Sequence, residues 1–249
     1  MPEYIGVFKR VEKKFVIDEL QFKKIIDAIR DRMTEDKYGE SIISNIYFDT
    51  NDFRLIRNSI SKPVYKEKLR LRAYGDVYDD SDAFIEIKKK FKGVVYKRRI
   101  NLEYQEAVDY LLYNTPMKTT SQISREIDWF RHYYTGLELK MFISYDRQAF
   151  HSKEDTNLRI TFDTDITWRN YDLDLRQGVY GQLLTKPGEY VMEIKFANSM
   201  PLWLCRLLSD LKVYKTSYSK YGNAFLQMQK QAGNKTENIR ITDGGIDCA

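Results

Sequence analysis

Lys66, Lys68, Arg70 and Arg72 fall on every second residue of the stretch VYKEKLRLRAYG (64–75), with Leu69, Leu71 and Ala73 on the alternate positions. In a β-strand this spacing puts four cations on one face and the apolar residues on the other. Like charges in a row repel, so the face needs an anion of matching length. A phosphate chain meets that need, and arginine's planar fork suits bidentate contact with phosphate oxygens.

The same parity recurs along the chain. Glu86, Lys88 and Lys90 oppose Ile85 and Ile87. Lys97 and Arg99 oppose Tyr96, Ile100 and Leu102, with Arg98 interrupting the apolar side. Arg10, Glu12 and Lys14 oppose Val11, Phe15 and Ile17. Tyr145 and Arg147 share a face. Arg159, Thr161, Asp163 and Asp165 oppose Leu158, Ile160, Phe162 and Ile166, while Glu193 and Lys195 alternate with Met192, Ile194 and Phe196.

Two arrangements follow. One is an antiparallel sheet whose charged face is washed by solvent. Such a face usually mixes in Thr, Ser, Gln and Asn, because like charges opposite one another destabilise a sheet. The other is a sheet curled into a barrel with the charges inside. That interior has to be wet and matched by a ligand, since unpaired buried charge is too costly. Inward cations call for a polyanion, and the few carboxylates beside them call for Mg²⁺ or Mn²⁺, which take one or two carboxylates plus phosphate oxygens.

The elements that must position these side chains are legible as alternating strands and amphipathic helices. A strand is expected over 6–17, followed by a helix to about Met33 with Asp18 as N-cap and Gln21 three residues on. Strands follow at 41–50, 64–74, 82–91 and 94–102, the last three separated by the turn stretches GDVYDDSD and FKG. Residues 103–134 read as two helices. LELKMFISYDRQAF and NLRITFDTDITW form a further β pair, YVMEIKFAN (190–198) is a strand, and PLWLCRLLSDL and SKYGNAFLQMQKQ are helical.

The chain of 249 residues, 43% hydrophobic and 14% aromatic, is rich enough for a substantial core. Its net charge of +5 is mild, so the bulk balance does not signal nucleic-acid binding. Cys205 and Cys248 lack metal-ligand spacing and point to a reduced, cytoplasmic setting. The N-terminus has no signal-peptide pattern, and no apolar run reaches membrane-spanning length. One domain over 1–230 with a polar tail over 231–249 is the expected organisation.

RVEKKF (10–15) resembles the charged first-strand motif of the triphosphate tunnel metalloenzymes, which in many members reads Glu-x-Glu-x-Lys. Arg10 replaces its first acid, which is similar to the polyphosphate-polymerase branch, the VTC (vacuolar transporter chaperone) domain. KLRLRAYG, FIEIKKK, SYDRQAF, LRITFDTDI, VMEIKF and YSKYGNAF come in the order of that branch, so the resemblance covers about residues 6–226.

The resemblance implies an α+β fold: a closed eight-stranded antiparallel β-barrel, the triphosphate tunnel, with helices packed outside. It also implies transfer of the γ-phosphate of ATP onto inorganic polyphosphate, with release of ADP and a requirement for Mn²⁺ or Mg²⁺. Arg70, Arg72, Lys14, Lys195 and Lys220 would be catalytic. Arg10, Lys68, Lys88, Lys97, Arg99, Arg147 and Arg159 would bind substrate, and Glu193, Glu12 and Glu86 would serve the metal. A tunnel triphosphatase and a non-catalytic polyphosphate- or nucleotide-binding module are the competing readings. The eukaryotic assembly's regulatory domain and membrane helices are not expected in this chain, which leaves room for a membrane partner.

Overall fold

β1 (Val11–Asp18) is the first element of the computed structural model, which describes residues 11–92, 94–118 and 120–242. After it come α1 (Glu19–Ile29), β2 (Met33–Asp49), α2 (Arg54–Ile60), β3 (Tyr65–Tyr74), β4 (Asp82–Phe91) and β5 (Val94–Glu103). α3 (Tyr104–Tyr113) and α4 (Gln122–Tyr133) lead to β6 (Glu138–Ser152) and β7 (Arg159–Arg169). β8 (Gln182–Leu183), β9 (Glu189–Phe196), α5 (Leu202–Asp210), β10 (Lys215–Thr216) and α6 (Lys220–Thr242) complete the described chain. Asp18 and Gln21 form the expected capping box at the start of α1, with reciprocal bonds of 2.8 and 3.1 Å. The helix stops at Ile29, so Met33 opens β2 and does not end α1.

The closed eight-stranded barrel is overturned. The strands form one ten-stranded antiparallel sheet in the order β10-β1-β9-β7-β6-β2-β3-β4-β5, with β8 paired to β7. Among the described residues β5 pairs only with β4, and the sheet stays open. The reason lies at β1. One of its sides pairs with β9, and Lys14 and Phe15 on that strand also take β10 as partner, so β5 finds no seat there.

The open sheet is nevertheless curled. Lys88 on β4 and Glu12 on β1 come within 3.9 Å, although six inter-strand steps separate their strands. In a flat sheet six steps would hold them about 29 Å apart. The charged face is therefore the inner wall of a trench.

On the convex side, Leu69, Leu71, Ile85 and Ile87 pack with Ala107 of α3 and Ile127 and Phe130 of α4. Farther along that side, Phe15, Ile160, Phe162 and Ile194 pack with Ile25 of α1 and Leu204 of α5. Helices are thus outside as expected for α1, α3, α4 and α5, but not for α6. Tyr221, Ala224 and Phe225 of α6 join Ile43, Tyr47, Ile143, Tyr145, Ile166 and Trp168 on the concave side and stopper one end of the trench.

That stopper depends on a bulge in β7. The β6–β7 register slips between Ser144 and Asp146, and Asp165 has a φ of 48°. One extra residue reverses the parity of a strand. Thr161 and Asp163 face the trench before the bulge, and Ile166 and Trp168 face the same side after it. Uninterrupted alternation would have sent Ile166 outward with Phe162. Among the described residues no helix is long and apolar enough to cross a membrane.

Candidate functional site

The cation row of β3 points into the trench and is held from the side. Arg70 donates to the Glu86 carboxylate at 2.8 and 2.6 Å and to the Tyr47 hydroxyl at 3.0 Å. Arg72 donates to Asn45 Oδ1 at 2.9 Å and to the Tyr145 hydroxyl at 3.0 Å, and lies 3.8 Å from Glu86. Lys97 of β5 reaches the other oxygen of Glu86 at 2.5 Å. Burial alone would raise the Glu86 pKa, but Arg70, Arg72 and Lys97 outweigh it and bring it down to about 2.

Lys68, next in the row, donates to Ser219 Oγ at 3.0 Å. Burial, with Lys88 and Lys14 close by, lowers its pKa to about 7. Lys88 is lowered in the same direction, by burial first and then by Lys14 and Arg70, against the pull of Glu12.

The opposite wall is built on β1 and β9. Lys14 lies 2.7 Å from Glu193 and 3.4 Å from Glu12, and Lys195 lies 3.4 Å from Glu193. Glu193 is held well below the usual carboxylate range: burial opposes this, and Lys14, Lys220 and Lys195 prevail. At the stoppered end Arg147 grips Asp163 with two bonds of 2.5 and 2.7 Å, and Lys220, the first residue of α6, bonds the same carboxylate. Tyr145 sits among Arg72, Arg147 and Lys220. Burial would raise its pKa, yet those three cations bring it down to about 8.

The trench therefore gathers Lys14, Lys68, Arg70, Arg72, Lys88, Lys97, Arg147, Lys195 and Lys220, drawn from β1, β3, β4, β5, β6, β9 and α6. Arg159 is at the rim, half exposed and paired with Asp36 at 2.8 Å. Arg99 is exposed, its guanidinium 4.9 Å from the Phe84 ring. Arg10 lies outside the described residues. Asn45 and Tyr47, which orient Arg72 and Arg70, were not picked out by sequence. Their signal is the alternation of Asn45, Tyr47 and Asp49 with Ile46 and Phe48 within SIISNIYFDT.

Among the described residues no three or more His, Cys, Asp or Glu side chains are grouped to hold a metal unaided. Glu12 and Glu193 are the exception to full commitment elsewhere, since they share only Lys14 and their flanking lysines. That donor set suits a hard divalent cation that draws its remaining ligands from phosphate oxygens and water. Glu86 is enclosed by three cations and Asp163 by two.

A family model described as the VTC domain matches residues 9–229. Among curated proteins none matches the chain. Two solved structures show the fold. A Bacillus halodurans protein assigned as an adenylate cyclase is 15% identical, with a TM-score of 0.52 over 85% of this chain and 95% of its own. A Hippeastrum protein assigned as an adenylyl cyclase, and described as having a dominant triphosphatase activity, is 16% identical, with a TM-score of 0.52 over 85% of this chain and 93% of its own.

Proposed function

The chain belongs to the VTC-domain family of the triphosphate tunnel metalloenzymes, and from that premise we propose that it is a polyphosphate polymerase, moving the γ-phosphate of ATP onto inorganic polyphosphate. The observation that carries this reading is the convergence of nine cations from seven elements, against four carboxylates, on one concave face.

Phosphoryl transfer asks for positioning and charge neutralisation more than for a covalent helper. The terminal oxygen of the polyphosphate, already ionised at neutral pH, forms a bond to the γ-phosphorus. The bond from that phosphorus to the β–γ bridging oxygen breaks, and ADP leaves with the electron pair. No proton has to be removed. Arg70 and Arg72 fix the equatorial oxygens, and Lys14, Lys195 and Lys220 offset charge moving toward the leaving oxygen. Lys68, Lys88, Lys97 and Arg147 hold the remaining phosphates, with Arg99 and Arg159 toward the entrance. Mn²⁺ or Mg²⁺ held by Glu193 and Glu12 would neutralise phosphate charge, and Glu86 orients Arg70.

The Hippeastrum relative makes a triphosphatase the second reading. A hydrolase must activate water, and Glu86 and Asp163, the trench carboxylates outside the Glu12–Glu193 pair, are enclosed by cations, which favours transfer. Incubation with ATP and Mn²⁺, with products resolved on a polyphosphate gel beside a free-phosphate assay, separates the readings. Long chains made by the wild type and lost in Arg70→Ala and Glu193→Ala are expected. Free phosphate without chains would replace the polymerase by a hydrolase, and neither product would leave a binding module.

A further inference from the structure

Behind the cation row, on the opposite face of β3, lies a groove of about 600 Å³ between α2 and α4. Its size falls within the roughly 300–1,000 Å³ of small-molecule sites. Residue 67 separates the two worlds. Lys68 points into the trench, Lys66 donates to the Ser59 carbonyl of α2 at 3.0 Å, and Glu67 between them forms the floor of the groove. The Glu67 carboxylate is 2% exposed and already accepts from the Tyr65 hydroxyl and, at 2.9 Å, from the Tyr134 hydroxyl. The floor is therefore satisfied, and a ligand has to be recognised by the walls.

The α4 wall is aromatic. Trp129 and Tyr133, one helical turn apart, stack with centroids 5.1 Å apart and planes at 12°. They are 55% and 51% exposed: each covers one face of the other, and the Lys89 ammonium lies 5.9 Å from the Trp129 ring, so what faces water is the remainder of an aromatic pair flanked by cations. The α2 wall is cationic. Arg57 is matched by Asp52 at 3.3 Å, but Arg54 makes no ion pair among the described residues and lies 5.9 and 5.5 Å from the Tyr133 and Tyr134 rings. A stacking surface beside a guanidinium that has no close ion pair, with Asp52 only within its longer electrostatic reach, fits a molecule that is planar at one end and anionic at the other. A bare phosphate would leave the aromatic wall unused, and an uncharged ring would leave Arg54 unused.

We propose that this groove is a second ligand site, separate from the trench, that binds a nucleoside monophosphate, with its base on the Trp129–Tyr133 wall and its phosphate on Arg54. Stacking of a base on an aromatic side chain contributes roughly 1–3 kcal/mol, and the charge-assisted bond to Arg54 supplies the second anchor. The site does not depend on what the trench does, because the two lie on opposite faces of the sheet.

Calorimetric titration of the full chain with AMP tests it. One AMP site is expected, weakened at least about tenfold by Arg54→Ala and by Trp129→Ala, in line with the loss of a stacked base or a charged anchor. Both side chains are exposed, so folding is not at stake, and an unchanged melting temperature checks this. Ribose 5-phosphate, which lacks the base, should bind at least about tenfold more weakly than AMP. The trench variant Arg70→Ala should bind AMP as the wild type does. Absence of binding at millimolar AMP, wild-type affinity in both groove variants, or loss of binding in Arg70→Ala would each overturn the proposal.

Discussion

Arg70 and Arg72 on one wall of the trench are each fixed by several partners, whereas Lys88 on the neighbouring β4 and Lys195 on the opposite wall are loosely held. Arg72 is 7% exposed and bonded to both Asn45 and Tyr145; Lys88 is 45% exposed and has Glu12 at 3.9 Å. The arginine wall is set in advance, so an anion arriving there meets donors that need no reorganisation. The lysines are long chains whose charge responds to neighbours and to pH. The arginines supply geometry and the lysines adjustable charge.

The sharpest way to break this contrast is at Arg72. Arg72→Ala should lower polymer synthesis by about 10³-fold or more, the scale set by removing an arginine that stabilises phosphoryl transfer. Arg72→Lys should recover little of it, because one ammonium cannot serve Asn45, Tyr145 and a phosphate in a single plane. Initial rates of ADP release measure both. Full recovery by lysine would mean that charge alone matters on this wall.

A smaller effect is expected from the lysines. Lys68 is charged below its lowered pKa of about 7, so its contribution to anion binding is present in mild acid and lost as pH rises through 7 to 8. Tyr145 adds negative charge above about 8, in the same direction. Tripolyphosphate affinity should fall roughly tenfold between pH 6 and pH 8, the worth of about one pKa unit. Binding near pH 7.5 should take up a proton, visible as a buffer-dependent heat. Lys68→Met should flatten the lower part of the profile, and an unchanged profile would move the titrating group elsewhere.

The smallest change is expected at the rim. Arg159 is half exposed and paired with Asp36, and exposed pairs contribute little. Arg159→Ala should alter the KM for ATP by less than about twofold in steady-state assays.

Sequence carried the trench well where alternation is unbroken. On β3 the parity of Lys66 to Arg72 is the parity of the structure, and the fall of Lys14, Lys195 and Arg147 onto the same wall follows from the same period. Closure was not legible, since a curled open sheet and a closed barrel require identical alternation and differ only in which edges meet. The two-residue β8 and β10 are too short to show any period, yet β10 is what occupies the flank of β1. The bulge at Asp165 was hidden because the residues after it still alternate, and only the backbone reveals that their faces have been exchanged. The groove partner Trp129 was likewise invisible: an aromatic on an amphipathic helix reads as core until α2 is seen to leave its ring uncovered.

The bulge in β7 acts as a ruler for the catalytic wall. N-terminal to it the strand turns Thr161 and Asp163 to the trench, where Asp163 anchors Arg147 and Lys220, and C-terminal to it Ile166 and Trp168 pack against α6. Moving that one surplus residue two positions along the strand would lengthen or shorten the wettable stretch by about 7 Å, the rise of two strand residues. Relatives that differ in where they place it would therefore be gauged for phosphate chains of different length, with every other strand left as it stands.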